Sequence, residues 1–123
     1  MSEFIFNNQD KAKAAHRAEV PAGIKSKAAL LDALSIALHF PRYFGGNWDA
    51  LDECIRDLSW LPDGDVILWH EDLPLSEDRT SLSTYLLVLN DAVEKWSASG
   101  KRKLLVMFPS DTEELIESLL AKA

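Results

Sequence analysis

A chain of 123 residues with 47% hydrophobic content has room for one compact domain, whose core needs neither metal nor disulfide, and leaves none for a second. A single cysteine, Cys54, excludes an internal disulfide. The net charge of −7 is uneven: residues 41–78 carry ten acidic and two basic side chains, which leaves +1 for everything else, and so dense a negative surface argues against nucleic acid as the ligand and for a basic partner. Met1-Ser2-Glu3 opens the chain with an acid, unlike a signal peptide, and no apolar run reaches the length of a membrane span, so the expectation is a cytoplasmic protein without membrane contact.

Glu3 to Phe6 is short, apolar and aromatic, and reads as a strand ending at Asn7-Asn8. Arg17 to Val20 reads as a second strand, closed by Pro21-Ala22-Gly23. Ser26 is placed to cap a helix running to about Phe40, with Leu30, Leu31, Leu34, Ala37 and Leu38 as its apolar stripe. Pro41 stops it, because proline pushes the preceding residue out of the helical region and cannot donate to the ladder. A lone His39 near that end reads as a surface residue.

Pro41 to Cys54 is the stretch around which the chain is organised. Gly45 and Gly46 supply a tight turn, and Asn47 is placed as the N-cap of a helix. At ~100° per residue, Leu51, Cys54, Ile55 and Leu58 share one arc with Trp48 at its edge, while Asp49, Asp52, Glu53 and Arg56 share the other. Carboxylates crowded into one turn repel by ~0.2–0.5 kcal/mol per exposed pair, so stability alone does not account for that face. Tyr43 and Phe44, read as exposed aromatics, stand beside it.

Trp60 to Asp65 is a turn by composition, and Val66 to Trp69 is a continuous apolar run suited to a strand buried on both faces of a parallel sheet. His70-Glu71-Asp72 then reads as a loop leaving that strand. Adjacent polar residues do not converge on one ion as an i, i+4 helical pair does, so no metal site is expected. A long helix is expected from about Ser81 to Ser97, ended by Gly100. Leu104 to Phe108 is the last strand. Leu115, Ile116, Leu119 and Leu120 then form the apolar face of a final helix, expected on the exposed flank of the sheet. Strand, helix, helix, strand, helix, strand is the order of an α/β domain with a small, mainly parallel sheet.

No catalytic constellation emerges. Cys54 lies on the buried arc, and His16, His39 and His70 have no nucleophile signature beside them. Gly45-Gly46 lacks the lysine and spaced glycines of a phosphate loop. Asp49 and Glu53 sit on a convex helix surface, where nothing separates their pKa values for acid-base work.

The pattern from Tyr43 through Cys54 (Tyr-Phe-Gly-Gly-Asn-Trp-Asp-Ala-Leu-Asp-Glu-Cys) resembles the signature of the barstar-like family, small inhibitors that block a secreted ribonuclease inside the cell that makes it. The resemblance covers about residues 15–110 and implies an α/β fold with a three- to four-stranded sheet and about four helices. Either Glu3 to Phe6 or Arg17 to Val20 can take the family's first-strand position; adjacency to the first helix favours Arg17 to Val20, which makes Glu3 to Phe6 an added edge strand, and the last helix is a C-terminal addition. It further implies a non-enzymatic inhibitor without cofactor, bound 1:1 to a basic ribonuclease or toxin. The implied partner-binding residues are Tyr43, Phe44, Gly45, Asn47, Trp48, Asp49, Asp52, Glu53 and Glu94. Glu94 stands beside Lys95, the position where the family can carry a further acid. Glu53, Asp52, Trp48 and Gly46 depart from the common pattern within the contact surface, which leaves open a different ribonuclease or another basic protein as the target. A small enzyme, with a pocket near His70 and Glu71, is the third reading.

Overall fold

The computed structural model of the protein describes residues 3–7, 13–42 and 44–122. Its elements follow in the order β1 (His16–Val20), α1 (Lys27–Ala37), α2 (Trp48–Asp57), β2 (Val66–His70), α3 (Arg79–Ser99), β3 (Leu104–Met107) and α4 (Glu113–Ala121), with a 3₁₀ turn at Ser110–Thr112. Three parallel strands lie in the order β1-β2-β3. The register sets Arg17, Ile67 and Leu105 side by side, and Glu19, Trp69 and Met107. The α/β architecture read from the sequence is the one found.

Side-chain caps set where the helices start. Ser26 Oγ accepts from the Ala29 amide at 3.1 Å, and Asn47 Oδ1 accepts from the Ala50 amide at 2.8 Å. Asp78 Oδ1 accepts from Ser81 at 3.1 Å, which starts α3 two residues earlier than the apolar spacing suggests. Gly100, at φ +69°, ends α3 as expected. The first helix stops at Ala37 instead of Phe40, because Leu38 leaves helical geometry and His39 takes φ +55° before the proline is reached.

One sheet face carries Ala18, Val20, Val66, Leu68, Leu104 and Val106 into the main core, where they meet Leu30, Leu34, Leu51, Ile55, Leu86 and Leu89. Helix α1 packs on β1, α3 packs on β3, and α2 lies along α3. The last helix packs chiefly on α3 and sends Ile116 into this core, so the expectation of a place on the open flank of the sheet is corrected. Glu3 to Phe6, expected as a strand, contributes a single parallel bridge, Ile5 to Met107, with the Ile5 amide donating to Val106 O at 2.8 Å. Phe4 and Phe6 close around Phe108 instead of extending the ladder.

Candidate functional site: the carboxylate face of α2

The turn before α2 is anchored from behind. The Phe44 amide donates to Pro41 O at 3.0 Å, and its ring lies 4.9 Å from Phe40, which meets Trp60 edge-on at 6.1 Å. The Trp60 indole N–H donates to Leu38 O at 2.9 Å, tying this aromatic ladder to the end of α1. Phe44 is therefore half-buried support, a correction to its reading as an exposed aromatic. Tyr43 lies outside the described residues. Gly46 takes φ +67° to turn the chain into the Asn47 cap, and Gly45 is exposed beside it.

Trp48 opens α2 half-buried, its ring 6.4 Å from Tyr85 of α3 and 5.3 Å from the ammonium of Lys27 on α1. Leu51, Cys54, Ile55 and Leu58 are buried. Leu58 is the C-cap, at φ +48°. A left-handed leucine costs ~1–2 kcal/mol, and full burial of its side chain contributes ~1.5–3 kcal/mol, which offsets the strain. Farther along, the Trp96 indole donates to Ile55 O at 2.9 Å, so α2 and α3 run in the same direction, clamped at both ends.

The opposite face of α2 carries Asp49, Asp52 and Glu53. Asp49 and Glu53 are exposed, and Asp49 lies in the first turn at the positive end of the helix dipole. Asp52 is partly withdrawn, its Oδ2 accepting from Arg56 Nη2 at 2.7 Å. The sequence reading missed Asp57, which is also exposed. Spacing alone was the signal: Asp49, Glu53 and Asp57 recur at i, i+4 and i+8, a stripe about 12 Å long. Glu94 is exposed on α3, about 180° around that helix from Tyr85 and Trp96, which face α2, so the fold does not bring it to the stripe.

His70 and Cys54 are turned into the core. His70 ends β2 fully buried, Nε2 at 2.7 Å from the Tyr85 hydroxyl and Nδ1 at 2.9 Å from Met107 O, with its ring stacked 4.0 Å from Phe108. The reading of His70 as a loop residue is corrected, and the histidine is not open to a substrate. The Cys54 thiol is buried, and its pKa is pushed up by that burial and by the nearby charges of Asp57 and Glu53. Among the described residues, no group of three or more His, Cys, Asp or Glu side chains converges to hold a metal ion. No helix among them is long and apolar enough to cross a membrane.

Helix α2 is thus capped at its start, buried along one side and lined with carboxylates on the other. The model of the family described as Barstar (barnase inhibitor) matches residues 16–108, from the first residue of β1 to the residue after β3. The chain belongs to the barstar family. The matched stretch contains the turn at Gly45-Gly46, all of α2 and all of α3, and leaves α4 and the segment around Ile5 outside it. No curated protein matches the chain.

Proposed function

We propose that this barstar-family protein inhibits a basic ribonuclease in the cytoplasm of the cell that makes it, by laying α2 across the enzyme's active site. The observation that carries this reading is the pair of exposed carboxylates, Asp49 and Glu53, one turn apart on a helix whose other side is locked into the core. A ribonuclease cleft is lined with cations to hold phosphate. Asp49 and Glu53 would stand where phosphate oxygens sit and pair with those cations, while Tyr43, Gly45, Asn47 and the flank of Trp48 cover the rim. Phe44 would act by holding the turn, and Asp52 would contribute once released from Arg56. Substrate is then excluded both by volume and by charge.

The family description supports the enzyme class, and the local excess of negative charge supports a partner of opposite sign with a salt-dependent on-rate. The test is binding and inhibition of a barnase-type ribonuclease by the wild type, Asp49→Ala and Glu53→Ala at two salt concentrations. Losses of more than tenfold in both variants are expected. Absence of wild-type binding would overturn the reading in favour of a different basic protein on the same face.

A further inference from the structure

The C-terminal ends of α2 and α3, with the turns that follow them, enclose a cleft of about 640 Å³. Part of it is rigid. The Trp96 indole is fixed by its hydrogen bond to Ile55 O, and the Arg102 guanidinium lies 5.2 Å from the Trp96 ring centroid. Arg102 donates to Leu58 O at 3.5 Å and to Pro62 O at 3.2 Å, which among the described residues uses two of its five N–H donors and leaves three. Lys95 and Lys101, exposed on the α3 side, have no ion-pair partner among the described residues. Asp57 and Asp63 line the same cleft from α2 and the turn after it, while Arg56 is engaged by Asp52.

We infer that this cleft receives an acidic side chain of the docked protein partner, bound by Lys95, Lys101 and the free donors of Arg102. The inference rests on the inhibitor reading. Asp57 and Asp63 choose between a free anion and a protein-borne one. Two carboxylates in the lining, on a chain of net charge −7, cancel much of the attraction for a diffusing phosphate. A carboxylate carried by a partner already bound through its own cations arrives at high effective concentration, which offsets that repulsion where a dilute free anion has nothing to offset it.

Reach favours the same occupant. Asp57 lies one turn, about 6 Å, beyond Glu53 on the exposed stripe. An interface of about 800 Å² per side, roughly 30 Å across, if centred on Glu53 reaches past Asp57 to that edge of the cleft. The partner surface that fits is therefore basic at its centre and acidic at one edge. A uniformly basic protein would meet Lys95 and Lys101 unpaired, so the cleft discriminates by repulsion as well as by attraction.

The experiment is calorimetric binding of a barnase-type ribonuclease to the wild type, Asp49→Ala, and the double variant Lys95→Glu/Lys101→Glu. Far-UV circular dichroism and thermal melting check the fold, which exposed lysines are not needed to maintain. At least tenfold weaker binding by the double variant is expected, alongside the loss in Asp49→Ala. If Asp49→Ala is weakened and the double variant stays within twofold of wild type, the cleft lies outside the interface and this inference fails while the inhibitor reading stands. If the wild type does not bind, both fail. Inorganic phosphate at millimolar concentration should leave the Trp96 indole N–H resonance unmoved; a saturable shift would assign the cleft to a free anion and overturn the protein carboxylate.

Discussion

The Tyr85 hydroxyl meets His70 Nε2 at 2.7 Å where both side chains are shut away from solvent. Met107 O offers only lone pairs to Nδ1, so the proton sits on Nδ1, Nε2 is the acceptor, and Tyr85 is the donor. This link joins the end of β2 to α3, and through the packing of Trp48 on Tyr85 it supports the start of the carboxylate helix.

Acid should destabilise the fold through this histidine. Burial lowers the His70 pKa from 6.5 to about 4, against the opposing effect of the Met107 hydrogen bond. Between those values the unfolded chain binds a proton that the folded chain refuses. The stability contribution is therefore complete above pH 6.5 and is lost as pH falls toward 4, by roughly 3 kcal/mol in all. Urea unfolding at pH 7, 6, 5 and 4.5 should show a steeper fall for wild type than for His70→Gln, and equal slopes would count against it.

Removing the donor should cost stability without touching recognition. Tyr85→Phe keeps the ring that Trp48 packs on and leaves Nε2 of His70 buried without that hydroxyl, a loss of ~1–3 kcal/mol. Chemical denaturation reads the loss. Ribonuclease binding measured well below the melting temperature should stay within twofold.

The turn into α2 should respond to its cap and its backbone in different ways. Asn47→Ala removes the acceptor for the Ala50 amide and should cost ~1 kcal/mol, whereas Asn47→Ser should be close to neutral. In Gly46→Ala the new methyl meets nothing within 4 Å, so the cost of ~1–2 kcal/mol comes only from holding alanine at φ +67°. Equilibrium unfolding of the three variants tests the ranking.

Arg56 should restrain association. Its ion pair with Asp52 joins side chains that are each about one-third exposed, so Arg56→Ala should change stability by less than ~1 kcal/mol. It removes a positive charge from the carboxylate face and frees Asp52, and the on-rate for a basic partner should rise several-fold at low salt. Stopped-flow association is the measurement. An unchanged rate would show that Asp52 takes no part in steering.

Local chemistry was legible where the partners are near in sequence. Ser26, Asn47 and Gly100 announced helix boundaries because a cap acts within about four residues, and the apolar run from Val66 to Trp69 announced a buried central strand. His70 was not legible, because its partners are 15 and 37 residues away and only the fold brings them together. Composition made Glu3 to Phe6 look like a strand, yet pairing geometry rather than apolar content decides how far a ladder extends, and only Ile5 bridges to β3. On the candidate site, helical periodicity sorted acids from core but did not reveal that Arg56 holds Asp52, that Phe44 faces inward, or that Glu94 lies on the far side of α3.

The placement of Cys54 makes the molecule convenient to label. The residue is 4% exposed, and burial with the neighbouring acids raises the pKa of its thiol, while the thiolate is the form that attacks a maleimide. A new cysteine at an exposed position away from the carboxylate stripe, such as Ser118, would be alkylated far faster. Fluorophores for tracking encounters with a partner can therefore be attached at a chosen point while the native cysteine stays in the core.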